Sequence, residues 1–324
     1  MMRQIQARSL KTIAVISVAA ATLRAQQPPA AHPMSHTQVV LLGTGTPAID
    51  PDRSGPATAV VVNGSAYLVD FGAGVVRRAK SAVIERGIAA LEPTNIRVAF
   101  VTHLHHDHTV GYADLIFSPS STRRVPLEVF GPTGIKAMTD HIIEAYRVDI
   151  ETRLRDAKVF GFSRVPEGYQ VNAHEIQPGM IYQDANVKVT AFPTKHSMES
   201  YGYRFDTPDR SIVISGDTNP TESTVEACNG CDVLIHELEM PIKPPTTSFG
   251  KSLEAFGAKY HTNVDQLADL AKKAKPRLVI IYHAAVSQRP ATAGPDSSSI
   301  SELFTAMAAR YAGHFVVGQD LDVY

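Results

Sequence analysis

The chain has 324 residues, of which 44% are hydrophobic and 19% are charged, and its formal net charge is −1. This composition is that of a soluble globular protein with one large domain or two small ones. Residues 37–324 contain no low-complexity block and no internal repeat. The near-neutral balance does not support a protein that grips a polyanion along its length.

The N-terminus has the pattern of a secretory signal peptide. Three basic residues and no acid in the first eleven positions precede the apolar run 12–23, and Ala25 is a candidate cleavage site. The run is too short for a comfortable membrane span, so we predict no stable membrane insertion. We predict a signal peptide over 1–25, with a frayed helix as the alternative, and a flexible leader over 26–36. The mature protein would then be periplasmic or secreted.

Cleavage after Ala25 would change the charge balance. It removes four positive charges and no negative ones, so the net charge of the mature chain falls to −5. A protein that binds nucleic acid usually carries a basic surface. The charge balance leaves room for a local basic patch, but it argues against a nucleic-acid partner.

The first half of the mature chain predicts strands joined by tight turns. A strand is predicted over Thr37–Gly43, followed by a hairpin of residues 58–62 and 67–70 around Asn63-Gly64. The next predicted elements are a helix from Gly74 to about Arg86, a strand over 98–101, a helix near 112–117, a strand over 127–130 and an amphipathic helix over 136–149.

The second half predicts strands that end in polar residues. Predicted strands over 187–192, 211–215, 233–235 and 277–282 lead to His196, Asp217, His236-Glu237 and His283. Residues 264–274 are predicted to form a helix with one apolar face. We interpret residues 150–175 and 240–260 as loops that shape a pocket. Layered α/β enzymes collect functional groups at strand ends in this way.

A cluster of metal-ligand residues follows the predicted strand 98–101. His103, His105, Asp107 and His108 stand in the order His-x-His-x-Asp-His. Neutral imidazoles and a carboxylate suit Zn²⁺, Fe²⁺ or Mn²⁺. A solvated histidine-rich loop is the weaker interpretation, because ligand-type residues recur at the ends of later strands.

The candidate ligands are too many for one tetrahedral zinc ion, and they suit two metal ions. We predict one site of His103, His105 and His196 and a second site of Asp107, His108 and His283. Asp217 could bridge them, since a carboxylate offers two oxygens. Two divalent cations, with zinc favoured over iron or manganese, would generate a hydroxide nucleophile at neutral pH.

With these residues in place, the chain resembles the metallo-β-lactamase superfamily from Gly43 to His283. The resemblance implies an α/β fold, a single four-layer αβ/βα sandwich over residues 37–324 with the metals at one edge. Five motifs resemble the branch of tRNase Z and class III arylsulfatase: Gly43-Thr-Gly-Thr-Pro47, Leu68-Val-Asp-Phe-Gly-Ala-Gly74, Ser215-Gly-Asp-Thr218, Leu234-Ile-His-Glu237 and His261-Thr-Asn.

The resemblance also implies roles for individual residues. It makes Asp217 the bridging ligand and His261 a candidate proton donor, and it lets the His236-Glu237 pair support the site from outside the ligand shell. Asp107 completes the set of candidate catalytic residues. A buried pair without a role in turnover is the alternative for His236-Glu237, and helix capping around residue 262 is the alternative for His261.

Departures from the family narrow the predicted substrate. Bacterial tRNase Z carries a tRNA-holding arm between the positions of His196 and Asp217, whereas here only 20 residues separate them. The predicted export also argues against tRNA. Asp217 argues against a dedicated β-lactamase, and the 41 residues after His283 are too few for the glutathione domain of a glyoxalase II.

We therefore predict an exported dinuclear hydrolase whose metal-bound hydroxide attacks small-molecule sulfate or phosphate esters, as in arylsulfatases and phosphodiesterases. The alternatives are a hydrolase of lactones, carboxylic esters or β-lactams, a tRNase Z-like ribonuclease, and a non-catalytic metal-binding or redox protein. A homodimer is allowed. Cys228 and Cys231 are interpreted as a disulfide or two thiols without a chemical role.

Overall fold

The computed structural model of the protein describes residues 37–239, 242–287 and 297–324. The predicted signal peptide and leader, residues 1–36, lie outside the described residues. Two β-sheets lie face to face, and helices cover both outer sides. In the described ranges, no helix is long and apolar enough to cross a membrane.

The first sheet contains six strands in sequential order. They are β1 (Thr37–Gly43), β2 (Ala57–Val62), β3 (Ser65–Val69), β4 (Val98–Phe100), β5 (Leu127–Gly131) and β6 (Val171–Glu175). Strands β1 to β3 pair antiparallel, and β3 to β6 pair parallel. Parallel neighbours end at the same edge of a sheet, so the loops after β3 and β4 lie side by side.

The second sheet repeats this plan with seven strands in the order β15-β12-β11-β10-β9-β8-β7. The strands of this half are β7 (Gly179–Gln183), β8 (Lys188–Pro193), β9 (Tyr201–Asp206), β10 (Ser211–Ile214), β11 (Val233–Leu238), β12 (Leu278–Ala284), the short β13 (Val286–Ser287) and β14 (Ser298–Ser299), and β15 (Phe315–Val317). Strands β7 to β10 pair antiparallel, and β10, β11, β12 and β15 pair parallel. Among the strands that the structure describes, β13 and β14 pair only with each other.

Nine described α-helices and three short 3₁₀ helices complete the fold. They are α1 (Val75–Arg86), α2 (His106–Thr109), α3 (Tyr112–Phe117), α4 (Ile135–Ala145), α5 (Arg147–Phe160), α6 (Glu222–Cys228), α7 (Ser248–Tyr260), α8 (Val264–Ala274), α9 (Ile300–Ala308), and the 3₁₀ turns Ala89–Leu91, Pro93–Asn95 and Pro166–Tyr169. Helices α1, α3 and α4 cover the first sheet, whereas α6, α8 and α9 cover the second.

The apolar side chains of the sheets alternate between two cores. In β1, Val39 and Leu41 pack between the sheets, whereas Val40 and Leu42 pack under the helices. This alternation follows from the two-residue period of a strand, and burial of both faces explains why the strands read as continuous apolar runs. The predicted single-domain α/β sandwich is confirmed.

The structure corrects two expectations about secondary structure. The single helix predicted over 136–149 is two helices, because the chain turns at Tyr146, whose ring stacks on Phe117 at 4.3 Å between centroids. The predicted loops 150–175 and 240–260 contain most of α5, all of β6 and all of α7. The apolar residues of α7 at positions 249, 253, 256 and 260 have helical spacing, so the sequence carried a helix signal that the interpretation as a loop overlooked.

Candidate metal centre

The turn after β4 presents the histidine cluster. Helix α2 is a single turn that carries Asp107 and His108, whereas His106 points to solvent. The backbone of Phe71 clamps this turn, since its N–H donates to the carbonyl of His108 at 2.9 Å. Gly72 lies so close that a Cβ there would be 2.4 Å from the carbonyl oxygen of Asp107. The glycine after β3 therefore lets two adjacent strand ends approach each other.

Four predicted ligands form the first group, and their ligand atoms lie close together. His105 Nδ1 is 3.0 Å from His103 Nε2 and 3.0 Å from His196 Nε2. Asp217 Oδ2 lies 3.8 Å from His103 Nε2. Two ligands of a tetrahedral zinc ion, each 2.0–2.1 Å from the metal, are roughly 3.4 Å apart. The group therefore has the spacing of one coordination shell.

The second group consists of Asp107, His108 and His283. His283 Nε2 is 3.1 Å from Asp107 Oδ2 and 3.3 Å from His108 Nε2. All three side chains are buried. These distances also fit the roughly 3.4 Å edges of a tetrahedral shell.

Asp217 lies between the two groups. Its Oδ2 faces His103, whereas its Oδ1 is 3.3 Å from His108 Nε2 and 3.6 Å from His283 Nε2. Oδ1 is buried and accepts no well-aligned hydrogen bond from any described residue. A buried carboxylate oxygen without a donor is costly unless a cation compensates it. The donor set and this oxygen therefore fit two divalent cations, one in each group.

The electrostatics of the ligands favour a cation over protons in the first group. Burial and the neighbouring imidazoles lower the pKa of His103 far below its usual value, and burial lowers the pKa of His196 to about 4. These rings are neutral and can bind a metal. Burial alone would raise the pKa of Asp217, but His283 and His108 hold it well below its ordinary value.

Asp70 orients His108 from outside the ligand groups. It has φ 62°, a left-handed conformation that places its carboxylate under the cluster. The carboxylate accepts hydrogen bonds from the N–H of Thr102 at 2.7 Å and from His108 Nδ1 at 2.9 Å. Because Nδ1 is the donor, Nε2 remains for a metal. Asp70 thus both stabilises its turn and positions a ligand.

Glu237 connects the loops of the second sheet. Its Oε1 accepts from the N–H groups of Thr218 at 3.2 Å and Thr262 at 3.0 Å, and from His261 Nδ1 at 3.3 Å. Burial opposes protonation of His261, but Glu237 raises its pKa to about 9. Glu237 therefore connects the loop of Asp217 to His261, and its role in turnover stays a prediction.

His236 lies elsewhere. It faces the helix side of β11 with Leu234 and Leu238, and its Nδ1 is 2.8 Å from the carbonyl oxygen of Glu237. It does not belong to the clustered ligands in the described part of the chain. Its catalytic role stays a prediction without direct geometric support.

Two further residues were missed from the sequence. Glu239 Oε2 is 3.2 Å from His261 Nδ1 and 3.5 Å from His283 Nδ1. Arg53 donates from Nη1 to the carbonyls of Ala284 at 2.9 Å and Val286 at 2.7 Å, directly after His283. The position of Glu239 one residue after β11 was a usable signal, whereas nothing in the sequence linked Arg53 to a strand end 230 positions away.

Comparison with known proteins decides the family. Residues 65–284 match the family described as Beta-lactamase superfamily domain. The chain is 30% identical over 291 residues to Ribonuclease Z of Mycobacterium bovis, covering 88% of this chain and 96% of that protein. The chain belongs to the metallo-β-lactamase superfamily. It is therefore a hydrolase of this superfamily, whose members typically bind divalent metals.

Solved structures support the fold. YhfI from Bacillus subtilis, a metallo-β-lactamase fold protein, has a TM-score of 0.64 at 15% identity, covering 89% of this chain and 99% of that one. The short form of human tRNase Z has a TM-score of 0.60 at 21% identity, covering 89% and 98%. At these identities the likeness shows the metallo-β-lactamase fold.

The predicted partner was wrong. We expected a small-molecule ester as substrate and argued against nucleic acid, but the mycobacterial relative, matched almost from end to end, is a ribonuclease by name. The expectation failed because net charge averages over the whole surface and does not report a local binding face. The missing arm was also a weak argument, since an arm can be absent without any change in the metal centre.

Proposed function

We propose that this superfamily member is a ribonuclease Z-like enzyme that hydrolyses phosphodiester bonds in RNA. The proposal rests mainly on the match to Ribonuclease Z, which is 30% identical and covers 96% of that relative. The seven candidate ligands of this chain also lie in two adjacent groups. This alternative is better supported than the exported sulfate or phosphate esterase that we predicted first.

The length of the segment between His196 and Asp217 limits how this protein can hold an RNA substrate. The segment contains β9, β10 and the turn between them, in which the N–H of Thr207 donates to the carbonyl of Arg210 at 2.9 Å. This interval has no room for an arm that grips the body of a folded tRNA. We infer that the RNA is held mainly by surfaces next to the metal centre.

We propose that His103, His105, His196 and Asp217 hold one divalent cation, and that Asp107, His108, His283 and Asp217 hold the other. Zinc is the metal we propose, because the donor set is imidazole and carboxylate in tetrahedral spacing. Bound cations of this kind lower the pKa of a water molecule and polarise a phosphoryl oxygen.

The chain's own residues then orient and protonate the substrate. His261 is held by Glu237 and Glu239 through Nδ1, at 3.3 Å and 3.2 Å, so its Nε2 is the ring nitrogen available to a substrate. A ribose oxygen is a poor leaving group, and a positioned acid that protonates it accelerates its departure. Glu237 and Asp70 are positioning residues in this scheme, since each acts through a histidine.

The test uses a precursor tRNA with a 3′ extension and an unstructured RNA of the same length. The protein loaded with zinc or manganese should cleave RNA, chelation by EDTA should abolish cleavage, and added metal should restore it. Asp217→Ala serves as the inactive control against a contaminating nuclease. A protein that carries two metal ions and leaves both RNAs intact would overturn the proposal.

Export remains a separate proposal, because the predicted signal peptide lies outside the described residues. N-terminal sequencing of the protein recovered from its native host would locate the first mature residue. A mature chain that begins at Met1 would contradict cleavage after Ala25.

A further inference from the structure

Helix α7 exposes its bulky apolar residues to solvent and buries only small ones. Its only buried residues are Gly250 and Gly257. Three large apolar residues face solvent instead: Phe249 is 74% exposed, Leu253 50% and Phe256 44%. An amphipathic surface helix normally turns its bulky apolar stripe toward the core. This exposed apolar stripe makes α7 a candidate binding surface, because large exposed apolar patches generally mark such surfaces.

These three exposed residues and the half-buried Tyr260 form one continuous line. Phe249, Leu253, Phe256 and Tyr260 are spaced by four, three and four positions, which places them on one helical face. At 1.5 Å per residue, this line is about 16 Å long. We refer to these four residues as the α7 ridge.

The C-terminal end of the α7 ridge reaches the metal centre. The carbonyl of Tyr260 accepts a hydrogen bond from Nδ1 of the ligand His196 at 3.3 Å. The ring of Phe256 lies 5.0 Å from the ring of Tyr260 and 5.9 Å from that of His261. A substrate strand that leaves the site in this direction therefore runs along the α7 ridge.

The charges of the helix suit a polyanion. Lys251 and Lys259 are exposed, and Glu254 is the only acidic residue of α7. Lys259 Nζ lies 4.8 Å from the centre of the Tyr260 ring, so a cation and an aromatic face are presented together. Single-stranded nucleic acid is bound by this combination: bases stack on the rings, and lysines attract the phosphates.

We propose that the α7 ridge binds unpaired nucleotides of an RNA substrate beside the scissile phosphodiester. This inference rests on the proposed function, which supplies both an RNA and a scissile bond at the metal centre. Bases would stack on Phe249, Phe256 and Tyr260. A second copy of this chain could also cover an apolar stripe, but the two exposed lysines favour the polyanion.

The test compares the double variant Phe249→Ala/Phe256→Ala with the wild type. A fluorescent single-stranded RNA with hydrolysis-resistant phosphorothioate linkages is titrated against the metal-loaded protein. Loss of stacked aromatic residues should weaken binding about tenfold or more. The double variant Phe249→Tyr/Phe256→Tyr keeps the rings and should bind almost as the wild type does.

A matched control removes two other exposed aromatic residues. Phe160 and Phe162 are 69% and 64% exposed near the end of α5, so Phe160→Ala/Phe162→Ala loses the same side chains elsewhere. Its affinity for the RNA should equal that of the wild type. Metal content and melting temperature, measured on every variant, show whether α7 and the centre remain intact.

Cleavage assays sharpen the assignment. With an RNA hairpin that carries an unpaired extension, the Phe249→Ala/Phe256→Ala variant should show a raised KM. With the extension trimmed to one nucleotide, the KM values of variant and wild type should coincide. An equal KM increase for both RNAs would contradict contact with the unpaired strand.

Several outcomes would overturn the inference. The first is that the wild type and the Phe249→Ala/Phe256→Ala variant bind RNA with equal affinity. The second is that the wild type does not bind single-stranded RNA. The third is that the wild type is a dimer and the same variant is a monomer. Because binding is measured without cleavage, the two proposals fail separately. A protein that binds RNA through the α7 ridge but cleaves none would refute the proposed function and leave the ridge as an RNA-binding surface without a scissile bond beside it.

Discussion

The candidate ligands fall into a contiguous set and a dispersed set along the chain, and each metal-binding group draws on both sets. His103, His105, Asp107 and His108 come from one turn of six residues after β4. By contrast, His196 and Asp217 come from two loops of the second sheet, and His283 comes from the end of β12. The contiguous set needs one main anchor, Asp70, which hydrogen-bonds both Thr102 and His108. In the dispersed set, each of the three chain segments needs its own anchoring contact.

The anchors of the dispersed set are themselves long-range contacts. Lys195 accepts from the N–H of Asn219 at 2.8 Å, which joins the loops of His196 and Asp217. Arg53 holds the chain just after His283, where the histidine itself has φ 43°. A non-glycine residue keeps such a conformation only when its surroundings enforce it. Local sequence can thus specify half of a metal centre, but the other half depends on the whole fold.

The largest effect is expected where the two groups meet. Asp217→Ala removes the one carboxylate that faces both, so kcat/KM should fall by about a thousandfold, several kcal/mol of charge stabilisation. Metal analysis should find fewer than two ions per chain. The exposed Asp140→Ala on α4 is the control. Two bound ions and near-normal turnover in Asp217→Ala would remove the bridging assignment.

A smaller effect is expected at Asp70, the anchor of the contiguous set. Asp70→Asn puts an amide where His108 Nδ1 donates its hydrogen bond, so the ring loses its fixed orientation. Changes of this kind typically cost about 10–100-fold in metal affinity or activity. Titration with zinc in competition with a chelator measures the affinity. Unchanged affinity would mean that the turn alone positions His108.

A change at Glu237 tests how the dispersed set is held, again through activity and metal binding. Glu237→Gln keeps one acceptor oxygen and most of the volume, so we expect about a tenfold loss of kcat, the low end for such residues. Both metal ions should stay bound, because Glu237 acts through His261 and the loop backbones and contacts no proposed ligand side chain. A loss of metal with unchanged kcat for the fully loaded protein would contradict this division of roles.

The smallest effect on activity is expected far from both groups. Cys228 and Cys231 form a disulfide buried among Val213, Leu234 and Leu270. Because the closed loop is so short, Cys228→Ser/Cys231→Ser should lower the free energy of unfolding by about 2 kcal/mol. Chemical denaturation measures this change. Activity at room temperature should match that of the wild type. A large loss of activity would mean that the disulfide is needed to keep the metal-binding loops of the second sheet in place.

The fold class predicted from the sequence is confirmed, and the reasons lie in the strands, whereas the metal-ligand assignment stays a prediction. Strands such as β2 and β11 are buried on both faces, so they read as buried runs with polar residues at or after their ends. The ligands are chemically distinctive, and the family orders them along the chain. The helices were predicted less well. The helical spacing of the apolar residues in α7 was interpreted as a loop, and the break at Tyr146 lies inside a continuous amphipathic pattern.

The sequence by itself determined which side chains can bind metal, because ligand chemistry belongs to residue type and the His-x-His-x-Asp-His turn is local. Only the tertiary structure decided how those side chains are held. Asp70, Glu237, Glu239 and Arg53 act through contacts between segments far apart in the chain, and a single sequence carries no record of such distances. The same holds for the α7 ridge, since whether an aromatic residue is core or surface is settled only when the helix packs.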